Sequence, residues 1–223
     1  MRQTFLFLLF AVLTPAAAYA IDCSSPPAPQ VNLDRVSDPV HYDFTQNRQS
    51  LNQKGAQILA AHRVGSNSYV GGLTDGSIAS NMSTQLQTLT STDGSACVWI
   101  TQVNIQLHYQ PTVYVSREFV PGSCYHTAVL EHEHKHVAMD LALMDAFAPQ
   151  LQQSILAVVQ AQGHMGPIAK SQLQDATHVI QNAMNAKLNE MIDGFSKLRE
   201  ARQAQIDVPS EYARVQSLCR NWP

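Results

Sequence analysis

The hydrophobic pattern of this chain changes its period at residues 121–123, and this change constrains the fold more than any other feature of the sequence. Before it, residues 97–107 and 112–119 alternate between apolar and polar side chains, as half-buried strands do. After it, apolar residues recur at three- and four-residue spacings over 127–162 and 168–205, the period of a helix. A β-rich part is therefore followed by a helical part.

We predict an α+β fold from this order of elements. An N-terminal β-rich lobe with antiparallel strands, about residues 40–120, is expected to pack on a C-terminal helical lobe, about residues 124–223. Residues 163–167 carry both a helix stop signal and a restart signal, so the two long helices should form a hairpin. Both lobes should belong to a single domain, residues 21–223, because a chain of this length can bury one good core.

Residues 1–20 have the features of a cleaved secretory signal peptide. Arg2 precedes a mainly apolar run over 4–13, and the segment ends in Ala18-Tyr19-Ala20, a small-x-small cleavage site. This run is too short for a membrane-spanning helix, which needs about 20 residues. We therefore predict cleavage after Ala20 and export, to the periplasm or by secretion, with no membrane span in the rest of the chain.

The four cysteines indicate two disulfide bonds, because the chain is predicted to be exported and no two cysteines stand at the C-x-x-C spacing of a metal site. Three pairings are possible. We favour Cys97–Cys124, which would bracket a β-hairpin, and Cys23–Cys219, which would join the two ends of the chain.

The charge of the chain argues against one class of partner. It contains 14 Lys and Arg residues against 17 Asp and Glu residues, and its basic residues form no cluster. Proteins that bind nucleic acid carry a basic face or stripe. We therefore predict no nucleic-acid partner.

His132, Glu133 and His136 form a His-Glu-x-x-His motif inside the first predicted helix. Residues four apart lie on one face of a helix, so both imidazoles can bind one zinc ion, and Glu133 can reach a water molecule on that ion. With 9 His among 223 residues, random placement would give only about 0.01 such motifs. The motif therefore predicts one zinc ion as cofactor.

Three neighbours of the motif have other expected roles. His134 is rotated about 200° from His132 around the helix and is expected to be structural. His126 lies at the helix start, as a capping or pocket residue. Asp140 lies about 12 Å along the axis from His132, too far to bind the same ion, but it can orient His136.

A catalytic zinc ion usually has a third protein ligand, for which there are two candidates. If the helical hairpin folds about Gly163, Glu190 comes level with His136. As an alternative reading, Glu190 is simply a solvated residue of a long helix. The competing candidate, Glu211, begins a short helix that a disulfide at Cys219 would hold rigid.

Two further features accompany the motif: the strand His41-Tyr42-Asp43-Phe44, and Cys97 at the start of an alternating strand. Together with the motif, they make the chain similar to a bacterial family of secreted zinc-dependent proteases. The resemblance extends over most of residues 21–223 and implies the same activity and metal. In a separate likeness, residues 189–193 resemble the glutamate helix of thermolysin-like zinc peptidases, which implies that Asp193 supports a ligand histidine.

The family's last segment reads Tyr-Asp-x-x-Thr-x-His-Gly, and this chain departs from it. Asp207 matches the family's Asp, Ser210 replaces its Thr, and Tyr212 stands where the family has His. If that His is a family ligand, Glu211 is its natural substitute. The third ligand is therefore expected to be either Glu190 or Glu211.

The predicted activity is peptide-bond hydrolysis in a peptide or protein substrate. The zinc ion would lower the pKa of its water to near 7, and Glu133 would remove a proton as that water attacks. Tyr212 or His126 would donate a hydrogen bond to the oxyanion. Two alternatives remain open: a noncatalytic zinc-binding envelope protein, and a helical interaction module in which the motif is accidental.

Overall fold

A computed structural model describes residues 21–62 and 71–222. The predicted signal peptide, residues 1–20, lies outside this part of the chain. Within it, no helix combines the length and the apolar composition that crossing a membrane requires.

The helices and strands follow one another in mixed order. The strands are β1 (Gln30–Ser37), β2 (His41–Asp43), β3 (Gly72–Thr90), β4 (Ser95–Val115) and β5 (His164–Ala169); the helices are α1 (Arg48–His62), α2 (Cys124–Gln162), α3 (Leu173–Gln203) and α4 (Pro209–Ser217). A short 3₁₀ turn, Lys170–Gln172, joins β5 to α3.

Strand β4 is the centre of a five-stranded sheet. It pairs with β3 in antiparallel register along almost its whole length. Its other edge is shared in succession by β5, which is antiparallel, and by β1 and β2, which are parallel. Alternate residues of β4 are buried and form much of the core, as the period-two pattern predicted.

The prediction of an N-terminal lobe of antiparallel strands packed on a helical hairpin is wrong. Strands β1 and β2 run parallel to β4, and β5 comes from between the two long helices, so the sheet is not confined to the N-terminal part. Hydrophobic alternation shows that a segment is a strand, but it carries no information about the direction of its neighbours. Most of the predicted turn at residues 163–167 belongs instead to strand β5. This segment is extended because it pairs with the start of β4, which is distant in sequence.

No hairpin turn occurs at Pro111, because β4 continues straight through it. Strand β1 pairs with β4 as far as Tyr109, and β2 begins to pair at Thr112, so Pro111 lies in the gap between them. A proline, which has no N–H group, is tolerated where no ladder hydrogen bond is needed. The hairpin of this sheet is instead formed by β3 and β4, with a turn that contains Gly94 at φ +86°.

Two disulfide bonds are present, as predicted, but both predicted pairings are wrong. The bonds are Cys23–Cys97 and Cys124–Cys219. Because β4 is one continuous strand, Cys97 near its start is about 60 Å from its end at Val115, at 3.3 Å per residue. Cys124 begins α2 after that far end, so it cannot reach Cys97. The two disulfides are consistent with an exported protein.

Helix α2 lies on the sheet and positions the motif. The side chain of Ser123 caps its N-terminus by accepting a hydrogen bond from the backbone N–H of His126 at 3.2 Å. The helix packs against β1, β3 and β4 with one side and against α3 with the other. The whole His-Glu-x-x-His motif is therefore held in the interior, between the sheet and the last helices.

Candidate metal centre

The side chains of His132, His136 and Asp207 meet at one point. The two Nε2 atoms are 3.4 Å apart, and each lies 3.2 Å from Asp207 Oδ1. Around a tetrahedral zinc ion with bonds of 2.0–2.2 Å, two ligand atoms are about 3.3–3.5 Å apart. The three atoms thus have nearly the spacing of one face of a zinc tetrahedron, and among the described residues they form the one group able to hold a metal ion.

Local structure explains how the two histidines converge. One turn of α2 separates His132 from His136, which places their rings on the same face of the helix. Both are buried, with 6% and 8% of their surface exposed. Asp207, in contrast, lies in the loop between α3 and α4 and is partly exposed. The group that could hold a metal ion therefore has two buried histidines and one aspartate at the surface.

The loop that carries Asp207 is fixed from several sides. Tyr212 donates a hydrogen bond from its hydroxyl to Asp207 Oδ1 at 3.0 Å. Beyond α4, the Cys124–Cys219 disulfide ties the end of the chain to the first turn of α2. Tyr125 adds to this tie by donating to the carbonyl oxygen of Arg220 at 2.7 Å. The loop is thereby held against the helix that provides the histidines.

Glu190, one of the two predicted third ligands, lies away from this site. It is exposed and pairs with Lys187 at 2.6 Å. Two contacts give the register of α2 and α3: Asp140 with Arg199, and His136 with Gln203. The midpoint of each pair in the sequence lies between residues 169 and 170, whereas the prediction placed it at Gly163. The difference arises because β5 and the 3₁₀ turn lengthen the connection between the two helices.

Glu211, the other candidate, contacts His132 on the opposite side of its ring. Glu211 Oε1 is 3.3 Å from Nδ1 of His132 and also accepts hydrogen bonds from Lys135 at 2.6 Å and Arg214 at 2.8 Å. The guanidinium of Arg214, with Lys135, holds the pKa of Glu211 well below its usual range. Glu211 therefore contacts the Nδ1 side of His132, while Asp207 contacts the Nε2 side, which His136 shares.

Glu133 is buried beside strand β3, with 4% of its surface exposed. Thr74 donates a hydrogen bond to Glu133 Oε2 at 2.9 Å. Burial raises the pKa of Glu133, and the neighbouring imidazoles only partly offset this rise. A carboxylate with a raised pKa is suited to accept and return a proton near neutral pH.

The electrostatics of the metal-free site reflect the close approach of the three ligands. Burial by itself would lower the pKa of His136, but its hydrogen bond to Asp207 and the charge of Glu133 raise that pKa to about 9. The pKa of His132 is raised by the same balance of effects. Asp207 is partly buried, yet hydrogen bonds from both histidines hold its pKa well below its usual range. Without a metal, the hydrogen bonds between the imidazoles and the Asp207 carboxylate hold the three side chains together.

The remaining predicted site residues are divided between the centre and its surroundings. Tyr212 lies at the centre, with its ring 5.7 Å from that of His132. His126 is buried against Phe44, with a ring separation of 4.7 Å, and has no contact with the three ligands that would make it an oxyanion donor. Asp193 is exposed on α3 and, by the helix register, is level with residue 146, far from the motif.

The structure also gives His134 and Asp140 specific contacts. His134 Nε2 is 2.9 Å from the hydroxyl of Tyr42, away from the ligands, in agreement with its expected structural role. Asp140 is fully buried and forms an ion pair with Arg199. It reaches His136 only through Gln203, which bonds to both. Asp140 therefore does not orient the histidine directly.

The sequence patterns indicated no role for Gln203 or Thr74, and Asp207 stood out only as a match to the last segment of the family. One local pattern did point to Asp207: it lies just before the helix that begins at Pro209, and negatively charged side chains are favoured near a helix N-terminus. This pattern did not indicate a ligand, because the loop is brought to α2 by distant contacts. No family model, curated protein or solved structure matches the chain.

Proposed function

We propose that this protein is an exported zinc-dependent metallopeptidase that hydrolyses peptide bonds in a peptide or protein substrate. His132, His136 and Asp207 would hold the metal, and Glu133 would be the general base. The observation that carries the proposal is the triangle of ligand atoms, 3.2–3.4 Å on each side, beside a buried glutamate at the position that the motif requires.

A set of two histidines and one carboxylate binds zinc in catalytic sites and also holds iron(II) in octahedral sites. The sequence motif favours zinc, because His132, Glu133 and His136 have the His-Glu-x-x-His spacing that zinc peptidases place on a helix. Zinc is therefore the proposed metal.

The protein groups divide the remaining work of hydrolysis among them. A bound zinc ion would supply a water molecule of lowered pKa and polarise the substrate carbonyl. Glu133 would accept the proton of the attacking water and pass it to the leaving amine, while Thr74 keeps the carboxylate in place. Tyr212 would donate a hydrogen bond to the developing oxyanion after its hydroxyl releases the hydrogen bond to Asp207 Oδ1.

The geometry gives less support to the alternative of a noncatalytic zinc-storage protein. That alternative was suggested by four histidines within residues 126–136. Only His132 and His136 converge, whereas His126 packs on Phe44 and His134 bonds to Tyr42. A storage site would gain from every histidine, while a hydrolytic site needs an open ligand position next to a base.

The test combines metal analysis with digestion of a peptide library. Wild-type protein should bind one zinc ion and cleave peptides. Glu133→Gln should keep the zinc ion and lose at least about 100-fold in turnover, because only the proton acceptor is removed. Asp207→Asn should bind zinc far more weakly, whereas Glu190→Gln, a matched control on α3, should behave as wild type.

Three results would overturn the proposal. Wild-type protein without stoichiometric metal would favour the helical interaction module. Bound zinc without cleavage of any peptide would favour a noncatalytic zinc protein. Full turnover in Glu133→Gln would remove Glu133 from the mechanism.

A further inference from the structure

The Nδ1 atom of His136, on the side of the ring that faces away from Asp207, contacts the side-chain amide of Gln203. The distance from Nδ1 to Gln203 Oε1 is 2.5 Å. The Nε2 atom of the same amide lies 3.1 Å from the main-chain oxygen of His136 and 2.6 Å from Asp140 Oδ1. One amide from the C-terminal end of α3 thus makes three contacts with α2.

The orientation of this amide follows from the chemistry of its neighbours. A carbonyl oxygen and an ionised carboxylate only accept hydrogen bonds, so the NH₂ group of Gln203 must face both the main chain of His136 and Asp140. The amide oxygen then faces Nδ1 of His136. Because an amide oxygen cannot donate, Nδ1 must carry the proton of that hydrogen bond.

The side chain of Asp140 is held in place by a third group. Arg199 donates to its two oxygens at 2.7 and 2.6 Å and to the main-chain oxygen of Gly76 in β3 at 2.6 Å. Asp140 is fully buried, and the two hydrogen bonds from the guanidinium fix the position of its carboxyl group. A connected series of hydrogen bonds therefore runs from β3 through Arg199, Asp140 and Gln203 to His136.

We infer that Gln203 is a positioning residue that sets the tautomer of His136, with Asp140 and Arg199 fixing the amide in the required orientation. With the proton on Nδ1, the lone pair of Nε2 points at the metal position and needs no rearrangement before binding. This inference rests on the proposed metal site. It also gives a role to the ion pair between Asp140 and Arg199, which reaches the imidazole of His136 only through Gln203.

A purely structural role for Gln203 makes a different prediction. If the amide only joins α3 to α2, its removal should lower stability and leave the imidazole tautomer unchanged. If it sets the tautomer, removing the acceptor oxygen should let the proton move to Nε2. Two substitutions separate these roles: Gln203→Met has similar length but no acceptor, and Gln203→Glu keeps an acceptor while losing the NH₂ group that bonds to Asp140.

The measurement is the ¹⁵N NMR spectrum of histidine-labelled, metal-free protein at alkaline pH, where the imidazole is neutral. All variants carry Asp207→Ala, because Asp207 Oδ1 lies 3.2 Å from Nε2 of His136 and would itself accept a hydrogen bond from that nitrogen. The signals of His136 are assigned by their loss in His136→Gln. In this background the native Gln203 and Gln203→Glu should show the Nδ1–H form, and Gln203→Met should show a large Nε2–H population. Gln205→Leu, on an exposed neighbour that pairs with Arg202, is the matched control and should match wild type.

Zinc affinity is a second readout, measured by competition with a chelator. Gln203→Met should bind zinc about 10- to 100-fold more weakly, as loss of such supporting hydrogen bonds does in other zinc sites. Gln205→Leu should bind as tightly as wild type.

An Nδ1–H form that persists in Gln203→Met would overturn the inference, even with normal zinc binding. If Gln203→Met does not fold, Gln203→Glu decides: retention of the Nδ1–H form supports the inference and its loss overturns it. Because the tautomer is measured without metal, a wild type that fails to bind zinc would overturn the proposed function and leave this result standing.

Discussion

His132 and His136 both direct Nε2 towards the proposed metal position. They differ in the side chain that contacts their second ring nitrogen, Nδ1. Nδ1 of His132 faces the carboxylate of Glu211, which is itself bound by Lys135 and Arg214. Nδ1 of His136 faces the neutral amide of Gln203. Both partners present an oxygen that accepts a hydrogen bond from Nδ1, so both rings direct Nε2 towards Asp207. Such partners, outside the ligand set, decide whether a local motif becomes a metal site.

Gly72 leaves no room for a side chain next to Glu133. A Cβ atom at this position would lie 2.5 Å from Val129 Cγ1 and 2.7 Å from Glu133 Oε1. Gly72→Ala should therefore displace the glutamate, lower turnover by roughly 100-fold and cost about 1–3 kcal/mol of stability. Zinc binding should be retained, since no ligand is touched. Activity assays, metal analysis and urea unfolding would measure the three effects.

The matched control for this substitution is Gly194→Ala in α3. No atom lies within 4 Å of a Cβ built there. Alanine in a helix interior should raise the free energy of unfolding by about 0.5–1 kcal/mol and leave turnover unchanged. Normal turnover in Gly72→Ala would show that Glu133 is not confined by β3.

The raised pKa of His136 predicts opposite pH dependences for folding and for zinc binding. In the metal-free protein the imidazolium is stabilised, so this stability is fully present below the ordinary pKa of 6.5 and is lost as pH rises through about 9. Zinc binds the neutral ring, so zinc affinity should increase over the same interval. Thermal unfolding without metal and chelator competition, both between pH 6 and pH 9.5, would measure the two trends.

The titration of Asp207 does not contribute to the change in stability between pH 6.5 and pH 9, because its pKa is lowered. Its lowered pKa contributes stability above the ordinary value of 3.8, and that contribution is lost only as pH falls through the folded value. A metal-free protein whose unfolding temperature stays constant between pH 6.5 and pH 9 would contradict the assigned contact between His136 and Asp207.

At the scale of elements, the two disulfides clamp opposite parts of the fold. Cys124–Cys219 joins the end of α4 to the first turn of α2 and so closes the segment that carries Asp207. Cys23–Cys97 joins the extended N-terminal segment to the start of β4, where β5 pairs. The ligand loop depends on the first bond, whereas the second bond stabilises the edge of the sheet.

Removing each disulfide should therefore have different consequences. Replacing Cys124 and Cys219 by Ser should cost about 2–5 kcal/mol of stability and weaken zinc binding by about tenfold or more, because Asp207 loses its support. Replacing Cys23 and Cys97 by Ser should cost a similar amount of stability and leave zinc affinity unchanged. Chemical unfolding and chelator competition would test both variants; equal losses of zinc affinity would contradict the assignment.

At the scale of the whole molecule, the candidate metal centre joins parts of the chain that are distant in sequence. His132 and His136 belong to the helix that lies on the sheet, and Asp207 belongs to the C-terminal segment. A metal ion held by all three binds only the folded chain. Metal binding should therefore act as a link between α2 and the end of the protein.

Zinc should raise the thermal stability of the protein as a whole. At a free zinc concentration 1,000 times the Kd, binding contributes about 4.1 kcal/mol, which for a chain of this size corresponds to roughly 10 °C in Tm. Asp207→Asn should lose most of this shift, and Glu190→Gln should keep it. Differential scanning calorimetry with zinc and with a chelator measures the effect; identical Tm values for the wild type would contradict a structural link by the metal.

The parts of the site that the sequence determined are those that depend on local geometry. His132, Glu133 and His136 follow from the fixed rotation of 100° per residue in a helix, whatever the rest of the chain does. The strand character of β4 and the two long helices follow from the period of their apolar residues in the same way. The need for a third ligand was also predictable, because two histidines do not complete a catalytic zinc site.

Contacts between distant segments were decided by the tertiary structure alone. Four features join residues at least 67 positions apart: the parallel pairing of β1 and β2 with β4, both disulfides, the contact of Asp207 with the two histidines, and the contact of Gln203 with His136. Local patterns carry no record of such neighbours. The six-residue strand β5 and the short 3₁₀ turn shift the register of α3 against α2 relative to a hairpin that folds at Gly163. Glu190 therefore does not lie level with His136. Such a change of connection leaves the apolar period of both helices intact, so only the packed structure could show it.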